Sequence, residues 1–593
     1  MRPPAEPLGG GAADREPSQA VAVQFSRHLN WLVPLLLSVG IAIALTAGVL
    51  GHLSTALIGA PPDQQQCVWT LGWFAFALTH WLDPLVTTYV TAGGQPINLM
   101  QNTATPLYGL LFSPVTLTAG PVAAYNLAMV ASLAGSAWVS MLVLSRYVRH
   151  RPAAWVAGAL FAFSPFALGE ATAGHLNWSA LWPLPLTLLL LDELVARQRH
   201  SPVAIGVALG LLGAAELLVN EEELASSAFV ALIVLAVLAA THRGQLRLRL
   251  RYVRLGFGSA AAVFAALAGA PLAVEFFGPG RPAHGLVQDA FSYSDYSARL
   301  LGFLLPTPSQ DLAPGAVANI GQRLLPYAIN PGEGGVYIGV PVLLGVAWAH
   351  WRLRSEPWVR VGALVAAVGL VLALGPFALV ERLPLIGQAT PARFVLIAWL
   401  GLALVIAIML DRTWDRQASY ARAVTVALGA AMVVSLLPSS VLQVQHVPIP
   451  AALTDSTLSA GQLVAVLPAP TLPVQDAEVM VWQAASGFRY RLPWGYLLQP
   501  GLGGALALAP SSLTATTVAA IAAGLTAPPG AARGVSSQLR HWGVHTVAVG
   551  PMPRQWQVVR FLTRALGRAP EWVGSVAIWG PSGAEWTHKN PGW

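Results

Sequence analysis

The amino-acid sequence predicts a mainly α-helical protein, with a polytopic membrane domain of about eleven transmembrane helices and a small C-terminal extracytoplasmic α/β domain. Three observations carry this prediction: a series of long apolar segments, arginines concentrated in every second connection between them, and a change of pattern after His446. The composition agrees, because 55% of the 593 residues are hydrophobic and only 10% are charged, compared with roughly 25% charged residues in soluble domains.

Each apolar segment is near the roughly 20 residues that cross a bilayer as a helix. Arginines gather in the connections that follow alternate segments, whereas the first loop on the opposite side, 51–120, contains no Lys or Arg. Because cytoplasmic loops carry the excess of positive charge, we expect the N-terminus in the cytoplasm and, after an odd number of spans, the C-terminus outside. The predicted spans are 31–50, 121–145, 153–170, 177–195, 203–219, 224–241, 255–277, 335–350, 359–380, 393–411 and 422–442.

The N-terminal residues 1–28 are polar, rich in Pro and Gly, and carry acids. This composition does not fit a cleavable signal peptide. It predicts a disordered cytoplasmic N-terminus, with the transmembrane domain over residues 29–445 and an uncleaved first span.

Residues 446–593 differ from the rest, because their apolar runs are short, rich in β-branched residues and separated by turn residues. A helical pattern lies between the last two runs. Strand, helix and strand in that order predict a small α/β domain outside the membrane. The three runs are Leu463–Leu467, Val544–Val549 and Val573–Ile578.

Several classes of function are excluded by composition. Cys67 is the single cysteine, which excludes an internal disulfide and makes thiol catalysis a poor candidate. The net charge of +7 is explained by membrane topology and by dispersed arginines, so no nucleic-acid partner is predicted. The basic segment 246–255 suits anionic lipid headgroups.

The first candidate catalytic residue is Asp63, just beyond the end of the first span. Trp69, Trp73 and further aromatic residues follow at helical spacing, which suits a helix lying in the headgroup region. A partly desolvated carboxylate there would have a raised pKa, as a general base requires. The alternative is that Asp63 caps a helix beginning at Gln64, since aspartate is a common N-cap residue.

Other polar clusters lie on the same predicted outer side. Asn102 belongs to a neutral cluster that would bind a hydroxyl-rich ligand or settle the loop. Glu170, His175 and Asn177 follow the third span; His175 would be one half of an acid/base pair, a phosphate contact, or a satisfied interfacial histidine.

Acids and one arginine complete the set of candidates. Glu221 and Glu222, with Glu223 beside them, would be metal ligands or a solvated helix start. Arg393 begins the tenth span from outside, against the charge bias; it would pair with the acids, bind a lipid phosphate, or reach the headgroups. No cofactor is assigned with certainty, and a divalent metal is the one these acids suit.

Acids in the first outward loop of a multispan scaffold with an exported C-terminal domain resemble the GT-C superfamily of polyprenyl-phosphate-sugar-dependent glycosyltransferases. Short motifs resemble more closely the multispan membrane proteins of actinobacteria that are similar to the YfhO type. These motifs are Pro62-Asp63-Gln64-Gln65, Gly174-His175-Leu176-Asn177, Asn220-Glu221-Glu222, Pro391-Ala392-Arg393-Phe394 and Trp482-Gln483-Ala484-Ala485-Ser486-Gly487.

The resemblance implies a glycosyltransferase at the outer face of a bacterial plasma membrane. It would move a sugar from a polyprenyl-phosphate donor to an envelope glycan or protein acceptor, with Asp63 as the general base. His175, Asn177, Arg393, Glu170 and Asn102 would contact the donor phosphate or substrate. Two alternatives stay open, a transporter or flippase for a lipid-linked substrate and a non-catalytic envelope assembly protein.

Overall fold

Helices make up most of the structure, which is a computed structural model. It describes residues 17–92, 94–241, 246–282, 293–325, 333–375, 389–416, 420–455, 457–471, 477–500, 506–508 and 512–580. The first helix begins at Pro17, within the segment predicted to be disordered, and residues 1–16 lie outside the described residues.

Many helices begin at a proline, whose fixed φ and missing N–H suit the first helical turn. From the N-terminus to residue 446 the elements are α1 Pro17–Leu45, β1 Ala56–Ile58, α2 Asp63–Thr79, β2 Val86–Thr87, β3 Ile97–Asn98, α3 Pro106–Leu111, α4 Ser113–Ala119, α5 Pro121–Leu144, α6 Arg151–Ala162, α7 Pro165–Thr172, α8 Pro183–Leu191, α9 Pro202–Leu217, α10 Glu221–Thr241, α11 Leu246–Phe277, α12 Gly315–Arg323, α13 Val340–Arg352, α14 Pro357–Ala373, α15 Val395–Trp414, α16 Ala421–Leu436 and β4 Val444–His446.

Four stretches of the described chain are helical, long and apolar enough to cross a membrane: Pro121–Leu144, Arg151–Thr172, Arg249–Phe277 and Pro391–Trp414. Each of the other predicted spans overlaps a helix, and the total of about eleven stays a prediction.

The predicted span 177–195 is less regular than expected. Residues Asn177–Ser179 form a 3₁₀ turn, α8 begins only at Pro183, and a π-helix follows at Asp192–Arg197. Helix α8 begins with proline in its first turn, a position where the missing N–H of proline costs no helical hydrogen bond.

Helix α15 is the centre of the membrane domain. All of its residues from Val395 to Asp411 are buried, because α6, α13, α14 and α16 pack around it. A helix that is apolar on every side is expected in such a position.

The loop 51–120 is a folded layer, in which β1 pairs with β4 antiparallel and β2 pairs with β3. The prediction that the aromatic face of α2 lies in lipid headgroups is wrong. Trp69 and Trp73 are buried and pack against Phe488, because helix α17 (Glu478–Ala485) of the C-terminal region covers this face.

The C-terminal region contains a four-stranded sheet in the order β5-β8-β10-β9. Strands β5 and β8 are parallel, and β10 is antiparallel to β8 and β9. The remaining elements are β5 Val464–Leu467, α17 Glu478–Ala485, β6 Leu498–Pro500, β7 Leu506–Leu508, α18 Leu513–Ala522, α19 Ala531–His541, β8 Thr546–Val549, α20 Gln555–Leu566, β9 Glu571–Val573 and β10 Val576–Trp579.

This sheet is buried on both faces, and alternate residues of a strand point to opposite faces. Ala465 and Leu467 pack with α18, α19 and α20. Val464 and Val466 pack instead with α17 and with Trp69 and other residues of the loop 51–120. The predicted boundary at residue 446 is therefore crossed by a shared hydrophobic core.

Candidate active site

Six charged side chains from distant parts of the chain meet at one place. They come from the start of α2, the end of α7 and the turn after it, the first turn of α10, the segment before α13, and the 3₁₀ turn before α15. Intramembrane and interfacial charges are costly to place, so such a cluster is a candidate functional site. Its members are Asp63, Glu170, His175, Glu222, Glu333 and Arg393.

His175 is at the centre of the cluster. Its Nδ1 donates to Oε2 of Glu170 over 2.6 Å, and its Nε2 lies 3.5 Å from Asp63 Oδ2 and 3.2 Å from Glu333 Oε1. Burial by itself would lower the pKa of His175, but Asp63 and Glu170 together outweigh it and raise the pKa to about 10. The ring is therefore an imidazolium at neutral pH, with Nε2–H directed toward two carboxylates.

Arg393 shares Glu170 and Glu333 with His175 and also binds Glu222. Its Nε donates to Glu170 Oε1 over 3.2 Å and its Nη1 to Glu222 Oε2 over 3.3 Å. Nη2 lies 3.8 Å from Glu333 Oε1, and the guanidinium carbon lies 4.8 Å from the centre of the Trp178 ring. Of the three interpretations of Arg393, the structure supports pairing with the outward acids.

Two glycines allow the segments of Asp63 and His175 to approach each other. Gly59 has φ +95° and Gly174 has φ +86°, a region that glycine adopts readily. A Cβ on Gly174 would lie 2.8 Å from the Cβ of Gln64, and one on Gly59 would lie 2.7 Å from the Cα of Gly174. The hydroxyl of Tyr125 donates toward the carbonyls of Ile58 and Gly174 and so joins the two segments.

Asp63 is the first residue of α2, and the N-cap residue is Pro62, with no side-chain cap hydrogen bond. The alternative that Asp63 is the capping residue is therefore not supported. Its carboxylate side chain is 25% exposed and faces His175.

The C-terminal region holds α2 in place. Gln65 Oε1 accepts from the backbone N–H of Ala477, and Trp69 Nε1 donates to Gln483 Oε1. The amide group of Gln483 donates in turn to the carbonyls of Tyr89 and Tyr490. The position of Asp63 thus depends on contacts made about 400 residues later in the chain.

The three adjacent glutamates do not form one site. Successive residues of a helix are about 100° apart, so their side chains diverge. The carboxyl of Glu221 interacts electrostatically with Glu275, Glu222 binds Arg393, and Glu223 is buried and interacts electrostatically with Glu216. Glu221 and Glu222 thus face different partners, and a metal or acidic site at these two residues stays a prediction.

Two asparagines lie apart from the charged cluster. Asn102 exchanges hydrogen bonds with the backbone of Leu498, donating to its carbonyl and accepting from its N–H. This occupies its amide group, so the structure supports the alternative that Asn102 settles the loop. Asn177 begins the 3₁₀ turn after His175, and its buried Oδ1 has no hydrogen-bond partner in the described part of the chain.

The sequence did not single out Glu333 as a site residue. Gly335, two residues after Glu333, allows a close approach to α7, because a Cβ there would lie 2.1 Å from the carbonyl oxygen of Pro165. This close contact brings Glu333 against α7, next to His175 and Arg393. Burial raises the pKa of Glu333, and the two cations oppose the rise.

A group of three side chains with the spacing of metal ligands lies outside the charged cluster. Among the described residues, His150, Asp411 and Asp415 offer three ligand atoms close together, at the opposite end of the α6–α7 span. Oδ1 of Asp411 already accepts from the backbone N–H groups of Arg149 and His150. This group therefore has a structural role at the start of α6.

The sequence profile of a domain of unknown function, DUF6311, matches residues 34–399. The chain belongs to the DUF6311 family. All six residues of the charged cluster lie within the matched range. No curated protein sequence is significantly similar to this DUF6311 protein.

The fold of this chain is similar to that of a solved structure. Mycobacterial arabinofuranosyltransferase AftD matches with a TM-score of 0.55 at 15% identity, over 92% of this chain and 41% of AftD. The chain thus spans less than half the length of AftD. At 15% identity this likeness concerns the fold alone; membership of the GT-C superfamily and the narrower likeness to YfhO-type proteins stay predictions.

Two further structures are less similar to the DUF6311 chain. ArnT from Cupriavidus metallidurans bound to undecaprenyl phosphate has a TM-score of 0.37 at 13% identity, over 93% of this chain and 98% of ArnT. The Archaeoglobus fulgidus oligosaccharyltransferase in the apo form has a TM-score of 0.38 at 13% identity, over 91% of this chain and 72% of that one. TM-scores of 0.37 and 0.38 do not establish a common fold.

Proposed function

We propose that this protein is an integral membrane glycosyltransferase of the GT-C type. It moves a sugar from a polyprenyl-phosphate donor to an envelope glycan or protein acceptor at the outer face of the bacterial plasma membrane. The observation that carries the proposal is the partly exposed Asp63 carboxylate, held 3.5 Å from a buried imidazolium at the head of α2, on a fold similar to that of AftD.

Asp63 is the general base of the proposed reaction. The oxygen of an acceptor hydroxyl forms a bond to the anomeric carbon of the sugar, and Asp63 takes the hydroxyl proton. The bond from that carbon to the donor phosphate oxygen breaks, and the lipid phosphate leaves with the electron pair. Bases positioned in this way contribute typically about 10² to 10⁴ in rate.

His175 and Arg393 have different roles in this proposal. The Nε2–H of His175 points to the accessible carboxylates of Asp63 and Glu333, so it is the cation that can stabilise charge on the leaving phosphate. The guanidinium of Arg393 is engaged by Glu170 and Glu222. Arg393 therefore positions the acids in this arrangement.

The experiment that tests the proposal is sugar transfer in proteoliposomes. Because AftD is named an arabinofuranosyltransferase, a labelled arabinofuranosyl donor on polyprenyl phosphate is tested first, followed by other sugars. Asp63→Asn should lower the transfer rate by about 10² or more, with folding and donor binding retained. The matched control is Asp83→Asn, because Asp83 lies exposed in the same loop and its carboxylate accepts from the N–H of Leu85.

A transporter or flippase is the second candidate function. Buried acids within predicted spans favour it, since such groups often mark ion or substrate pathways. They are Glu216 and Glu275, at 1% and 4% exposure. If the native protein transfers no sugar from any donor but moves lipid-linked substrate across the bilayer, this function replaces the first.

A third candidate is a non-catalytic envelope assembly protein. In that case Asp63→Asn would leave envelope assembly in cells unchanged, which sugar transfer with Asp63 as the base does not allow.

A further inference from the structure

A second acidic pair lies beside the charged cluster and takes no part in it. Glu223 is fully buried, and both of its carboxylate oxygens have no hydrogen-bond partner among the described residues. Burying a polar group without a partner is unfavourable, and burying an ionised one is more unfavourable still. Something other than these residues must therefore satisfy this carboxylate.

Glu216 is the charged residue that interacts electrostatically with Glu223. It is 1% exposed, and its carboxylate accepts from the hydroxyl of Ser227. Ser227 lies four residues after Glu223 on α10, and residues with this spacing are neighbours on one helix face. The two carboxylates therefore meet on the same side of α10, where Glu223 interacts electrostatically with Glu216.

Arg393 of the charged cluster does not pair with Glu216 or Glu223 in the described structure. Arg393 is bound by Glu170 and Glu222, and Glu222 points away from Glu223 on the helix. Protonation of Glu223 would remove its charge, but its O–H would still need an acceptor. A cation between the two carboxylates would satisfy the oxygens of both.

We propose that Glu216 and Glu223 bind a divalent cation of the hard, oxygen-binding class, with Ca²⁺ as the best match. Two carboxylates supply two negative charges, which one divalent ion neutralises. Ca²⁺ accepts protein carboxylates in one- or two-oxygen contacts and flexible geometry, whereas Mg²⁺ keeps several waters. The buried carboxylates of Glu216 and Glu223, on adjoining helices, therefore suit Ca²⁺ better than Mg²⁺.

The ion joins the end of α9 to the start of α10. Asn220 lies between the two helices, and its side-chain oxygen accepts from the N–H groups of Glu222 and Glu223. Fixing this turn also fixes Glu222, which binds Arg393 in the charged cluster. The ion is thus structural, and the inference does not depend on the proposed transferase activity.

Thermal unfolding of the full-length chain in detergent, after removal of metals with a chelator, tests the inference. Added CaCl₂ should raise the unfolding midpoint progressively with concentration, as expected for a ligand that binds the folded state. Glu223→Gln and Glu216→Gln should abolish the rise. The matched control is Glu222→Gln, because Glu222 is adjacent in sequence but faces Arg393; its midpoint should still rise with Ca²⁺.

A second measurement, made on the native protein, tests the inference even if the glutamine variants fail to fold. Equilibrium binding of radioactive Ca²⁺ to the native protein should give one tightly bound ion per chain, with excess Mg²⁺ competing weakly. The inference is overturned if native protein binds no Ca²⁺ and shows no rise in midpoint, or if both glutamine variants keep the full rise. If Glu216 and Glu223 share a proton instead of a cation, the native protein would bind no Ca²⁺ and show no rise in midpoint.

Discussion

The Nε2 atom of His175 lies 3.5 Å from Oδ2 of Asp63, while Nδ1 of the same ring lies 2.6 Å from Oε2 of Glu170. The fully buried carboxylate of Glu170 thus holds one nitrogen of the ring, and the partly exposed carboxylate of Asp63 faces the other nitrogen. Hydrogen bonding at one ring nitrogen sets the orientation and protonation of the other. The arrangement keeps Asp63 next to a positive charge at neutral pH.

Stability should depend on pH through His175. Its pKa in the folded protein is about 10, above the roughly 6.5 of an unperturbed histidine. Its contribution to the free energy of unfolding is therefore complete below about pH 6.5 and is lost as the pH rises toward 10. We expect the unfolding midpoint of the native protein to fall over this range, and His175→Gln to show a flatter dependence; parallel curves would contradict the protonated state.

Removal of the Glu170 carboxylate should be much more damaging than removal of Glu222. Glu170 is fully buried and binds both His175 and Arg393, so Glu170→Gln leaves buried cations poorly paired at a cost of about 3 to 5 kcal/mol. The Glu222 side chain is 36% exposed and binds only Arg393, so Glu222→Gln should cost about 1 kcal/mol or less. Denaturant unfolding of both variants checks this order, and equal losses would argue against it.

Glu333→Gln should change the pH dependence of transfer more than it changes stability. Glu333 Oε1 is 3.2 Å from the Nε2 atom that also faces Asp63. Loss of its negative charge should lower the pKa of His175, so the alkaline decline of the transfer rate should begin at lower pH. The control is Glu356→Gln, because Glu356 pairs with Arg412 at the other end of α15; an unshifted profile for Glu333→Gln would exclude this coupling.

Gln483→Leu should lower transfer by displacing α2. The change leaves the indole N–H of Trp69 without its acceptor and frees the carbonyls of Tyr89 and Tyr490, at about 1 to 3 kcal/mol for an unsatisfied buried group. We expect a lower unfolding midpoint and a lower rate per folded molecule.

Gln555→Leu is the matched control for this change. Gln555 also donates to several backbone carbonyls, but within the C-terminal sheet and away from α2. It should lower stability while leaving the rate per folded molecule unchanged. A similar loss of rate in both variants would show that the effect is general destabilisation.

The sequence by itself determined that the chain has a helical membrane domain, and it identified Asp63, His175 and Arg393 as candidates. Apolar length and arginine asymmetry can be read directly, because the membrane imposes them on each segment separately. Charged residues at the outer ends of spans stand out for the same reason, since they are costly there.

Only the tertiary structure decided which of these residues meet. Glu333 joins His175 from a segment more than 150 residues away, and Glu221, Glu222 and Glu223 separate because a helix rotates about 100° per residue. Trp69 and Trp73 face the core and not the lipid, because α17 packs against α2. Pairings of this kind depend on contacts between remote parts of the chain, and local patterns of sequence do not encode which remote partner a side chain meets.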